Sequence, residues 1–132
     1  MSETINPEGW PRPSGYANAI LAAGRYLAIS GQIGWNERYE LVAADFLGQA
    51  RQALRNVMAV LHAAGGQPEH LVRLTWYITD KNEYRQNLKE LGASYREIVG
   101  EHYPAMALVQ VADLLEDGAK VEIEATAILP LA

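Results

Sequence analysis

Apolar positions along this chain recur with two periods, and the changes of period mark the elements. Phe46, Ala50, Leu54, Val57 and Leu61 fall at helical spacing and predict an amphipathic helix. Asp45 is its expected N-cap, and Ala63-Ala64-Gly65-Gly66 ends it with a glycine free to adopt the left-handed C-cap conformation. From Leu71 to Thr79 the period is two, with Val72, Leu74, Trp76 and Ile78 on one face and Arg73, Thr75 and Tyr77 on the other. Asp80 caps a second predicted helix whose stripe is Tyr84, Leu88, Leu91, Tyr95 and Ile98, closed by Gly100.

Both ends of the chain read as β-structure. Tyr16 to Ala22 and Tyr26 to Gly31 flank Ala23-Gly24-Arg25, which predicts a hairpin. Ala105 to Val111 is an apolar run, Val121 to Ile128 alternates, and the acidic turn Asp113 to Gly118 joins them into an expected two-stranded ribbon. Met1 to Gly15, with Pro7, Pro11 and Pro13, is expected to be an irregular lead-in whose Trp10 plugs the edge of the domain. Asn36 to Leu41 is a polar loop. The order β-β-α-β-α-β-β predicts an α+β sandwich, with two helices packed on one face of a mixed sheet and residues 1–132 forming one domain. The other face would need a partner, so a homo-oligomer is expected.

Composition narrows the partners. A net charge of −5 and a pI near 5.1 argue against binding a phosphate backbone, so no nucleic-acid partner is expected. The chain has no cysteine, which excludes thiol nucleophiles and thiolate metal sites. His62, His70 and His102 lack metal-ligand spacing, so no metal is expected. The N-terminal stretch has neither a basic nor an apolar leader region, and no apolar run has the length of a membrane span. A cytoplasmic protein without membrane contact is the resulting expectation.

Two stretches could carry chemistry. Glu122 and Glu124 share one strand face about 7 Å apart, and such a pair can do acid–base work if burial separates their pKa values; otherwise it is a solvated acidic face. Ser30-Gly31-Gln32-Ile33-Gly34 ends a strand with two glycines, which allow close backbone approach to a ligand or serve a bulge. Ser30 has no nucleophile-elbow motif around it.

Several stretches together resemble the RidA (YjgF/YER057c) family: Gly15-Tyr16-Ala17-Asn18-Ala19, Ser30-Gly31-Gln32-Ile33, Gln49 to Val57, Ala63-Ala64-Gly65, Tyr103-Pro104-Ala105 and Val121-Glu122-Ile123-Glu124-Ala125. The resemblance implies a chorismate-mutase-like fold and a homotrimer with a small-molecule cleft at each subunit interface. It implies hydrolysis of enamines and imines to 2-oxo acids and ammonia, without a cofactor. Carried over by position, Glu122 holds the attacking water, while Tyr16, Ser30 and Gly31 line the cleft. Met106 occupies the place of the family's substrate-binding arginine, and Gly92 stands where an asparagine is expected, three residues before Tyr95. A thioether cannot pair with a carboxylate, so ordinary 2-imino acid deamination is expected to be weak or absent. The resemblance leaves open a hydrolase for a different imine, a non-catalytic metabolite-binding module and, least favoured by the acidic charge, an endoribonuclease or translation inhibitor. Arg12, Arg25 and Arg73 are candidates for a relocated cation.

Overall fold

The computed structural model describes residues 2–132. Its strands and helices are β1 (Ser2–Ile5), β2 (Ala19–Ala22), β3 (Arg25–Gln32), α1 (Phe46–Ala63), β4 (Leu71–Ile78), α2 (Lys81–Gln86), α3 (Leu88–Ile98), β5 (Ala105–Gln110) and β6 (Val121–Leu129). A four-stranded mixed sheet runs in the order β3-β6-β4-β5, with β4 and β5 parallel and the other neighbours antiparallel. The helices cover one face. The architecture is the expected α+β sandwich.

Local signals explain the long helix. Asp45 accepts a hydrogen bond from the Gly48 N–H at 3.0 Å, which satisfies one orphan donor and places a negative charge at the positive end of the helix dipole. At the other end Gly65 has φ +85°, and the N–H groups of Gly65 and Gly66 donate to the carbonyls of His62 and Leu61. That is a Schellman closure, which relies on a residue tolerating the left-handed region. All five stripe residues of α1 are buried, Leu54 and Leu61 completely. They pack against the helix-facing residues of β6, namely Val121, Ile123, Ala125, Ala127 and Leu129, in one continuous core.

The pairing of strands departs from the sequence expectation in two places. The C-terminal ribbon is not a hairpin: β4 lies between β5 and β6 and hydrogen-bonds to both. Nor do β2 and β3 pair with each other. Ser2–Ile5, expected to be irregular, is a strand, and it takes β2 as its antiparallel partner, leaving β3 to pair with β6. Trp10 does not plug the edge of this chain, being 59% exposed. The second helix is broken at Asn87, whose side-chain amide donates to the Glu83 carbonyl at 2.7 Å and competes with the regular ladder. Leu88, placed in its apolar stripe, is 52% exposed.

The open face of the sheet presents Tyr26, Thr75, Tyr77, Val109, Glu122, Glu124 and Thr126. Tyr26 is 70% exposed and Val109 is also exposed. No helix of the described chain is long and apolar enough to cross a membrane.

Candidate functional site

The exit of β3 is built around two polar side chains of α1. Asn56 donates to the carbonyls of Ile33 and Trp35 at 3.0 and 2.8 Å, which holds the segment after Gln32 onto the helix. Gln49, fully buried, donates to the carbonyls of Ala43 and Gly118 at 3.0 Å each and accepts from the Lys120 N–H at 2.7 Å. Every polar atom of that amide therefore has a partner, as burial demands. It ties the approach to α1 to Lys120, two residues before Glu122.

Between Ile29 and Gln32 the pairing with β6 slips, so Ser30 and Gly31 form a bulge. The bulge brings the Gly31 backbone against Glu122. A Cβ added to Gly31 would stand 1.9 Å from Oε2 of Glu122, so this carboxylate occupies space that any other residue at 31 would fill. Ser30 lies beside it, near the Gln32 side-chain amide, which donates to the Ser30 carbonyl and hydroxyl at 3.2 and 3.3 Å. Glu124, two residues along β6, has a different environment. The Tyr77 hydroxyl donates to its Oε1 at 2.5 Å. That hydrogen bond, with burial and the charges of Glu124 and Glu122, raises the Tyr77 pKa above its ordinary value. The two glutamates thus share a face but not a role: one is held by a phenol, the other lies on a glycine.

Tyr16 and Met106 sit elsewhere. Ala17 bridges to Ala105 and donates its N–H to the Pro104 carbonyl at 3.0 Å, which lays Tyr16 along the outer edge of β5. Met106 pairs with the buried Leu74 and faces the helix side. Both border a recess of about 530 Å3 between β5 and the α2–α3 helices. Its wall includes Trp76, Tyr84, Leu91, Gly92, Arg96 and Tyr103. Tyr95 and Tyr103 stack at 5.2 Å, and the Tyr95 hydroxyl donates to the His102 carbonyl at 2.6 Å. Burial pushes the phenols of Tyr84 and Tyr95 up, so both remain neutral at physiological pH.

The predicted site residues are therefore in two groups. Glu122 is level with Tyr77 and Val109, three residues along β5 from Met106 and two strands away. Strand rise and spacing put their Cα atoms on the order of 14 Å apart, on opposite faces of the sheet. Among the sequence's candidate cations, Arg25 donates to the Pro130 carbonyl, and Arg73 borders a smaller recess with Tyr16 and Met106. Arg96 was not among them. It looks like a solvated helix position, and the signal that marks it is the glycine one turn earlier.

Residues 11–129 match the family described as Endoribonuclease L-PSP. The chain belongs to this family. It is 37% identical over 131 residues to the 2-iminobutanoate/2-iminopropanoate deaminase of Escherichia coli K12, covering 97% of this chain and 98% of that protein. It is 36% identical over 128 residues to a RutC family protein of Pyrococcus horikoshii, covering 96% and 98%. The crystal structure of YyfB, a Rid family protein of Yersinia pestis, superposes with a TM-score of 0.83 at 36% identity, covering 97% of this chain and 98% of that one. That of Escherichia coli YjgF gives 0.70 at 35%, covering 96% and 98%. The RidA resemblance and the α+β sandwich of the YjgF fold are both borne out.

Proposed function

We infer that this RidA family protein is a cofactor-independent hydrolytic deaminase for a reactive imine or enamine, diverged from ordinary 2-imino acids. The observation that carries this is the seating of Glu122 on Gly31, which fixes a carboxylate at the open end of a bulge. In the proposed reaction Glu122 accepts a proton from water as the water oxygen adds to the C=N carbon. That proton passes to nitrogen to give the neutral carbinolamine, whose hydroxyl proton then moves through Glu122 to nitrogen as the C–N bond breaks, ammonia leaves and the C=O bond forms.

The two-group arrangement supports a cleft shared between copies, as in the homotrimer that the resemblance implies. Ser30, Gly31 and Glu122 of one copy would face Tyr16 and Met106 of its neighbour, with the open sheet face in the interface and the neighbour's β5 edge closing the cleft. Met106 gives that cleft an apolar contact where a 2-imino acid needs a cation, which supports poor turnover of such substrates. The same apolar wall favours a second reading, a metabolite-binding module without catalysis. RNA cleavage, suggested by the family's description, is disfavoured by the net charge of −5.

The test is ammonia release above the spontaneous rate from a panel of freshly generated imines. At least one should be accelerated, and Glu122→Gln should lower that acceleration about 100-fold, the usual scale of acid–base assistance. Equal acceleration by the variant contradicts the role of Glu122. No acceleration of any imine leaves the binding-module reading in its place.

A further inference from the structure

The recess of about 530 Å3 beside Met106 holds one charged side chain, and it is Arg96. Among the described residues no aspartate or glutamate borders it. Its remaining wall is aromatic and aliphatic, with Trp76, Tyr84, Leu91, Tyr103 and Leu108 prominent.

Arg96 is exposed, and two observations set it apart from an ordinary surface arginine. A Cβ added to Gly92, one turn earlier on α3, would stand 3.5 Å from Nη1 of Arg96. The guanidinium therefore lies over the bare backbone of Gly92, where a side chain longer than a methyl group would displace it. Second, an arginine on a helix can pair with an acid three or four residues away. Those positions are Gly92, Ala93, Val99 and Gly100, and among the described residues Arg96 forms no salt bridge. Its neighbour Glu97 is turned the other way, onto Arg51 of α1 at 2.6 Å. Trp76 is 6% exposed, and its indole N–H has no acceptor among the described residues.

We propose that this recess binds a monocarboxylate bearing a bulky apolar or aromatic side chain, with Arg96 pairing the carboxylate. A single cation matches one carboxylate, and the planar guanidinium suits a two-pronged contact. The aromatic walls and the volume, within the about 300–1,000 Å3 typical of small-molecule sites, enclose a ring better than a methyl group. The identity of the ligand as a substrate rests on the hydrolytic reading above; its binding does not. Arg73 is the rival cation. It pairs with Ala105 on the open face and borders a smaller recess of about 190 Å3 that shares Tyr16 and Met106 with this one.

Calorimetric titration of the full chain with 3-phenylpropanoate, 3-phenylpropan-1-ol and propanoate tests this directly. The aromatic acid should bind at least about 10-fold tighter than either the alcohol or the short acid. Arg96→Gln should remove that advantage by weakening the acid about 10-fold more than the alcohol, and Gly92→Leu, which displaces the guanidinium, should also remove it. Arg73→Gln should bind the aromatic acid as the wild type does. Equal affinity for acid and alcohol, loss of acid binding in Arg73→Gln but not Arg96→Gln, or no binding of the acid at all would overturn the proposal. None of the probes has a C=N bond, so the outcome is independent of hydrolysis. Arg96-dependent binding without imine turnover removes the hydrolytic reading alone, and Glu122-dependent turnover without it removes this one alone.

Discussion

Gly31 and Glu122 share one space: a Cβ on the first would stand 1.9 Å from a carboxylate oxygen of the second and 2.9 Å from its Cγ. Gly31→Ala therefore forces Glu122 to swing away, since the atoms in conflict belong to a flexible side chain. The fold should survive with a loss of about 1–2 kcal/mol, in the range of an ordinary overpacking substitution. Imine hydrolysis should fall at least about 10-fold, because the carboxylate leaves the reacting geometry. Denaturant unfolding and ammonia release on the same preparation separate the two effects.

Gln49 is the structural support of that site. Its amide satisfies two carbonyls and one N–H, all at or below 3.0 Å. Gln49→Met keeps the volume and strands those three backbone groups. The expected loss of stability is about 2–4 kcal/mol, the scale of leaving buried groups unpaired. Urea unfolding midpoints of the two proteins check it.

Alkaline stability should depend on Tyr95. Burial, aided by the neighbouring Tyr103, holds its folded pKa well above the ordinary value of about 10. Between that value and the folded one, the unfolded chain releases the proton and the folded chain keeps it, so stability falls as pH rises, by up to about 1.4 kcal/mol per pH unit. Tyr84, raised by burial, acts in the same direction. Tyr95→Phe should cost about 1 kcal/mol at pH 7 through the lost bond to His102 and should show a shallower decline above pH 10. Thermal melts from pH 7 to 12 give both readings.

How much of this was legible in the sequence differs by element. The stripe of α1 was fully readable, because helical period, cap and C-terminal glycines all lie within one segment. Period two also placed the alternating faces of β6 and most of β4. It failed at Val72, where the pairing of β4 with β6 slips between Leu71 and Arg73. Strand neighbours were not readable: nothing local to β5 and β6 says that β4 will separate them. The same limit applies to chemistry. Glu122 and Glu124 have one pattern in sequence, and only Tyr77 on the adjacent strand and Gly31 at the bulge tell them apart. Arg96 was hidden because its significance lies in what Gly92 lacks.

If the cleft is shared between copies, two defects in different groups should complement. Glu122→Gln removes the carboxylate of one group, and Tyr16→Ala removes a wall of the other. Homogeneous assemblies of either variant should be inactive. Co-assembled chains should recover activity in about a quarter of clefts, the fraction in which random cyclic assembly joins two intact groups. Activity in the mixture no higher than in the separate variants would place both groups within one chain's own site.

Met106 decides which imines the cleft accepts, and the direct measurement is ammonia release from freshly generated 2-iminopropanoate by the wild type and by Met106→Arg. The wild type should be close to the spontaneous rate, and the arginine variant should exceed it at least about 10-fold, as expected for a restored charged contact to a small carboxylate. Rapid hydrolysis by the wild type, or no gain in the variant, would contradict the claim that this residue turned the cleft away from ordinary 2-imino acids.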